Sequence, residues 1–183
     1  MTWILIALIV IIVLWFFFTY NSLITGRNRS EEAWADIEVQ LKRRYDLIPN
    51  LVNTVKGYAS HESGTLEKVT EARNKAMASQ GTAGAAQAEG ELSGTLKSLF
   101  ALSEAYPELK ANTNFLSLQT ELSDTENKIQ AARRFYNGNV RDYNTKIDVS
   151  PSNLVAKMFS FTKKEYFDIG DNDVAQQPVE VKF

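Results

Sequence analysis

Arg43-Arg44-Tyr45-Asp46-Leu47-Ile48-Pro49-Asn50-Leu51-Val52, continuing into Val55-Lys56-Gly57-Tyr58-Ala59, sits in a run whose apolar side chains recur every three or four residues. The stripe is Trp34, Ile37, Leu41, Tyr45, Ile48, Val52, Val55, Ala59, Leu66, Val69 and Ala76. That spacing keeps one face of a helix apolar. Glu62 interrupts it, and Arg73 fits only if its aliphatic stem lies along the seam. A single helix from Ser30 to Gln80 would be roughly 75 Å long. A rod of that length must pack along other long helices, in this chain or in its copies. Pro49 lacks a backbone donor, so it should kink the rod or cost it one hydrogen bond, and it pushes Ile48 away from helical geometry. Gly57 and Ser63-Gly64 are further weak points, and two helices broken near 60–64 is the rival reading. The shared register on both sides favours one rod, with Gly81 placed to end it.

Towards the amino terminus, Trp3 to Phe18 is an unbroken apolar run, and no charged side chain precedes Arg27. With its flanks it reaches about 20 residues, the span of a bilayer core. Trp3, Ile4, Leu5, Leu8, Ile12, Trp15, Phe16, Phe17, Phe18 and Tyr20 are the candidate membrane-spanning residues, with Trp3, Trp15 and Tyr20 suited to the interfacial belts. A cleaved signal peptide is the alternative. Against it, only Met1 and Thr2 precede the run, and no small-x-small cleavage pattern follows it. Arg27, Arg29, Lys42, Arg43 and Arg44 all lie on the carboxyl side, which favours an external amino terminus and a cytoplasmic body over the reverse. Ser30 is a candidate N-cap for the rod, with Glu31 and Glu32 in its first turn.

Towards the carboxyl terminus, residues 79–90 are small and nearly uncharged, which predicts a flexible connector that could turn helical through its alanines. A second helix carries Leu92, Leu96, Leu99 and Leu102 and ends at Tyr106-Pro107, where Pro107 can open another helical turn. A third begins near Asn112-Thr113-Asn114. Its stripe is Phe115, Leu118, Leu122, Thr125, Ile129, Ala132, Tyr136, Val140, Tyr143 and Ile147, the pattern of a packed helical seam. Asn137-Gly138-Asn139 interrupts that helix without shifting its register, and Ser150-Pro151 stops it. Asn153 to Ser160 suits a short helix. From Glu165 on, five acidic residues face one lysine, and a mostly irregular tail with an aromatic anchor (Tyr166, Phe167, Phe183) is expected.

The chain therefore divides into an anchor at 1–22, an all-α bundle of long helices at 23–160 and a tail at 161–183. A net charge of −2 offers no nucleic-acid surface. Cysteine is absent, which excludes disulfides, thiolate metal sites and thiol nucleophiles. His61 is the only histidine. It reads as an exposed helix residue beside Glu62 in preference to a metal ligand. No Glu-x-x-His pair, phosphate loop or nucleophile elbow is present, so no catalytic, cofactor or metal residue is nominated and no enzyme is expected. Asn is frequent along the rods although it is a weak helix former. Buried inter-helix hydrogen bonding and simple exposure or capping both account for that. Trp34, Leu41, Arg43, Arg44, Asp46, Pro49, Asn50, Tyr136 and Tyr143 are the candidate inter-helix or inter-subunit contacts. For Arg43, Arg44 and Asp46, a solvated charged face is the plainer alternative.

These residues resemble the LemA family of bacterial membrane proteins over nearly the whole chain. The resemblance rests on the apolar anchor followed by Tyr20-Asn21, on Arg44 to Val52, and on Val55-Lys56-Gly57-Tyr58 and Glu71-Ala72-Arg73. It continues through Tyr106 to Asn112, Asn114 to Gln119, Glu121-Leu122, Glu126 to Ile129, Ala132 to Asn137 and Tyr143-Asn144. It implies a single-pass protein of the bacterial cytoplasmic membrane, with a long antiparallel helical bundle and a short external amino terminus. It implies no catalytic or cofactor residues. It also links the chain to envelope stress and membrane maintenance, with membrane peptidases and small envelope proteins as associates.

The expectation is a membrane-anchored scaffold that self-associates laterally in the lipid bilayer as a homo-oligomer, in a ring or cage that supports or remodels the membrane. The alternative is an adaptor that passes a membrane event to a protein partner such as a membrane peptidase, with Pro49 and the Gly57–Gly64 region as its bistable element.

Overall fold

A computed structural model describes residues 1–168. Those residues are all-α, with no strand among them: α1 (Thr2–Lys56), α2 (Ser63–Ala78), α3 (Gly81–Ser103), α4 (Pro107–Lys110), α5 (Thr113–Asp148) and α6 (Ser152–Met158). They divide into two compact units. The first takes Met1–Glu38 and Gln130–Tyr166; the second takes Val39–Ile129 and, among the described residues, Phe167 and Asp168.

In the second unit, the carboxyl part of α1, the amino part of α5, α2 and α3 pack as a four-helix bundle around Leu51, Val55, Val69, Leu92, Leu99 and Phe115. Each such side chain contributes about 1.5–3 kcal/mol by leaving water. The single rod over 30–80 is corrected here. Helix α1 ends at Lys56, and α2 starts again at Ser63. Its direction is reversed, because Arg73 returns to the level of Tyr45. The physical reason is a turn rich in weak helix formers, closed by hydrogen bonds from the Tyr58 and Ala59 amides to the Val55 carbonyl at 3.0 and 2.9 Å. The apolar register survives because both arms of the hairpin face one core, and Ala59 plugs that core from the turn. His61 accordingly lies on this turn and not on a helix.

The connector expected at 79–90 is also corrected. Only Ser79 and Gln80 are non-helical, and Gly81, at φ +73°, opens α3. The left-handed backbone there favours glycine. The alanines that made the stretch look featureless are good helix formers, and Ala85, Ala86 and Ala88 are buried.

In the first unit, the amino part of α1 runs antiparallel to the carboxyl part of α5. Ser22 accepts a hydrogen bond from Lys146, Gly26 lies against Tyr143, and the Trp34 ring meets that of Tyr136 in a tilted contact at 5.4 Å. No helix begins at Ser30, so its N-cap role is corrected. The residue is buried mid-helix, and its hydroxyl donates to the Gly26 carbonyl at 3.0 Å. That back-bond is how a serine is accommodated inside a helix. Helix α6 packs Val155 and Ala156 into a small core with Leu23 and Tyr143. Residues 161–168 carry no regular secondary structure, and Phe167 is buried. Phe183 lies outside the described residues.

Candidate functional site

Two features on this framework bear on function. The first is the surface of α1. Its amino part holds the one helix among the described residues that is long and apolar enough to cross a membrane, and none of that apolar window is buried. Trp3, Ile4, Leu5, Leu8, Ile12, Phe17 and Phe18 are exposed, Trp15 is at the edge of exposure, and Phe16 and Tyr20 are half-buried. Phe16 and Tyr20 meet the ring of Phe159 at 5.8 and 4.7 Å. Monomeric soluble proteins rarely show a continuous apolar surface of this extent.

The second feature is a buried polar knot in the bundle of the second unit. Arg44 is 1% exposed and Glu89 is fully buried. Arg44 pairs with Glu89 through Nη2, and through Nη1 donates to Glu126 Oε1 at 2.5 Å and to Ser93 Oγ at 3.2 Å. The Tyr45 hydroxyl donates to the other Glu89 oxygen. Burial pushes the Tyr45 phenol above its ordinary range, and Arg44 beside it pulls the other way. The knot joins α1, α3 and α5. Next to it, Arg73 on α2 donates from Nε to the Tyr45 carbonyl at 2.7 Å. In a regular helix that carbonyl would accept from residue 49, but Pro49 has no N–H. The helix therefore continues through Pro49, and a side chain from α2 takes the place of the missing donor.

The nominated contact residues fall into two groups. Leu41, Arg44, Tyr136 and Tyr143 are buried, and Trp34 is half-buried. Arg43, Asp46, Pro49 and Asn50 are exposed. With Val39, which is 63% exposed, Arg43, Asp46 and Asn50 recur every three or four residues along one open face of α1. The buried stripe on α1 is Ile37, Leu41, Arg44, Ile48, Leu51 and Val55. It therefore takes Arg44 and Leu51 where hydropathy points to Tyr45 and Val52.

Glu89 was not recognisable as part of a site within an alanine-rich stretch. Its signal was its spacing. It is the one charge between Ser79 and Gly90, and it falls in register with Leu92, Leu96 and Leu99. Among the asparagines, Asn144 is buried. Its side chain donates to the Lys164 carbonyl at 2.9 Å and accepts from the Lys164 amide at 3.0 Å. Asn112 joins Tyr58 at 2.9 Å and caps α5 through the Phe115 amide. Among the described residues no cluster of three or more His, Asp or Glu could hold a metal ion.

A model of the LemA family matches residues 33–183. The chain is similar to Protein LemA of Metamycoplasma hominis, at 29% identity over 147 residues, covering 78% of this chain and 67% of that protein. It is also similar to Magnetosome protein MamQ of Magnetospirillum gryphiswaldense and to Magnetosome protein MamQ 1 of Paramagnetospirillum magneticum. Each is 24% identical over 174 residues, covering 81% of this chain and 64% of the relative. The chain thus spans about two-thirds of the length of these curated relatives.

Proposed function

This chain belongs to the LemA family, and from that premise we propose that it is a membrane-anchored helical scaffold whose copies associate side by side in the bilayer. The observation that carries the reading is the wholly unburied apolar window of α1, for which lipid is the fitting solvent. Phe16 and Tyr20, at the end of that run, pack into the first unit through Phe159. Cleavage as a leader peptide would strip a folded core of two contacts, which speaks for a retained anchor. The basic residues Arg27 and Arg29 follow the run, which supports a body on the cytoplasmic side.

The open face Val39–Arg43–Asp46–Asn50 is the contact between copies. It carries both charge signs and one large exposed aliphatic side chain, so a second copy of the same face complements it. Confinement to one membrane raises the effective concentration of that contact without any new chemistry. A contact of one face with its own copy closes as a pair. Such pairs, joined further through their neighbouring spans, form the ring or cage that supports or remodels the bacterial membrane in envelope stress, with envelope proteins or a membrane peptidase as clients. The adaptor reading takes Pro49 and the Gly57–Gly64 region together as its switch, so it needs Pro49 free to move. The donation from Arg73 to the Tyr45 carbonyl braces that position instead.

Cross-linking tests the contact. The chain has no cysteine, so Val39→Cys, Asp46→Cys and Asn50→Cys each introduce a single thiol. A short bis-maleimide applied to native membranes joins two such thiols and should give a covalent dimer of this chain alone. Absence of that dimer at all three positions in membrane-inserted protein overturns the proposed contact.

A further inference from the structure

We infer that α6 is a second membrane contact, seated in the headgroup-to-acyl boundary of the leaflet from which α1 emerges. The inference rests on the reading of α1 as a membrane span. Phe159 directly follows α6, and its ring touches both Phe16 and Tyr20. The apolar run ends at Phe18. At about 1.5 Å per residue, Phe16 lies roughly 3 Å inside that end and Tyr20 roughly 3 Å outside it. A ring in contact with both is held at the hydrocarbon edge.

The two faces of α6 then have distinct solvents. Val155 and Ala156 are each 1% exposed and pack against Leu23 and Tyr143. Leu154 and Met158 are one turn apart, so they share the opposite side, and they are 64% and 69% exposed. Phe159 and Val149 extend the same apolar character at 46% and 48%. Such side chains on a helix whose neighbour is an unburied apolar span suit a lipid surface. Lys157, exposed between Leu154 and Met158, has the reach to place its ammonium among phosphates while its stem stays with the acyl chains. This short apolar helix with a flanking cation is the interfacial pattern at small scale. The occupant is the bilayer that already surrounds α1, because the patch is continuous with the span through Phe159. The seat fixes how far the first unit stands off the membrane.

The test uses the full chain in vesicles of phosphatidylcholine and phosphatidylglycerol. Leu154→Cys and Met158→Cys carry a nitroxide, with Leu8→Cys as the bilayer reference and Asp142→Cys, 71% exposed on the same unit, as the water reference. All four side chains are exposed, so labelling removes no core contact. The ratio of collision with oxygen to collision with a water-soluble nickel chelate reports depth. At 154 and 158 it should exceed the Asp142 value several-fold and lie towards the Leu8 value. Ratios at 154 and 158 equal to that at Asp142, with Leu8 deep, overturn the inference and leave the anchor standing. A water-like ratio at Leu8 overturns the anchor and this inference with it.

Discussion

Arg73 on α2 donates from Nε to the Tyr45 carbonyl of α1 at 2.7 Å, the acceptor that Pro49 leaves without its helical partner. The proline and the arginine thus form one device, and their mutational effects should couple. Arg73→Ala should cost about 1–3 kcal/mol, because a half-buried carbonyl loses a charge-assisted donor. Pro49→Ala restores an N–H at position 49. In that background the Arg73→Ala penalty should shrink by about 1 kcal/mol, read as a double-mutant cycle from urea midpoints. Equal penalties in both backgrounds would show that the carbonyl has no need of Arg73.

Arg44 and Glu89 behave as a buried ion pair, at 1% and 0% exposure. Arg44→Ala should cost about 3–5 kcal/mol, since it leaves the Glu89 charge alone in the core. Arg44→Met with Glu89→Met removes both charges and should cost much less, or nothing. Glu126 is 42% exposed and keeps its access to water, so Glu126→Gln should be mild. Chemical denaturation of the three variants checks the order.

The protonation of Tyr45 sets a limit at high pH. Burial raises its phenol above the ordinary value near 10, with Arg44 opposing. The unfolded chain therefore releases this proton first. The stabilisation is fully present below about pH 10 and is lost as pH rises from there through the folded value. Tyr143 is raised too, by burial above all, with Arg27 opposing and Glu31 adding a smaller push upward. A comparison with Tyr45→Phe isolates the first residue. Urea midpoints between about pH 8 and about pH 11 should fall less steeply in that variant. Parallel curves would remove Tyr45 from the account.

Asn144 clamps the backbone of Lys164 from both sides. Asn144→Leu keeps the bulk and loses both hydrogen bonds. Local opening at 161–168 should become easier by about 1–3 kcal/mol, read as faster exchange of the Lys164 amide. Unchanged exchange at that amide would mean that the clamp holds nothing.

The helices were legible where their side chains repeat. The seam on α5, from Phe115 to Ile147, is buried or half-buried at every position named from its periodicity. The hairpin at 57–62 was not legible, because a helix that doubles back onto its own core keeps the register of one that runs straight on. Glu89 escaped for a related reason, since a charge at a stripe position reads as an interruption until its partner is known. Arg44 was nominated as a contact, but the stripe was drawn through Tyr45 beside it. The pairing of Arg44 with Glu89 depends on α1, α3 and α5 meeting in one bundle, which no short stretch of sequence encodes. Arg43, Asp46 and Asn50 were nominated as contacts alongside Arg44, and only the burial of Arg44 separates it from their open face.

Native mass determination of the full chain in mild detergent at micromolar concentration tests the central claim most directly. Lateral self-association predicts a particle of several copies that breaks down with Arg43→Glu alone, which sets like charges against each other across the open face of α1, and that re-forms when Asp46→Lys is added. A monodisperse monomer of 20.6 kDa plus bound detergent would contradict it.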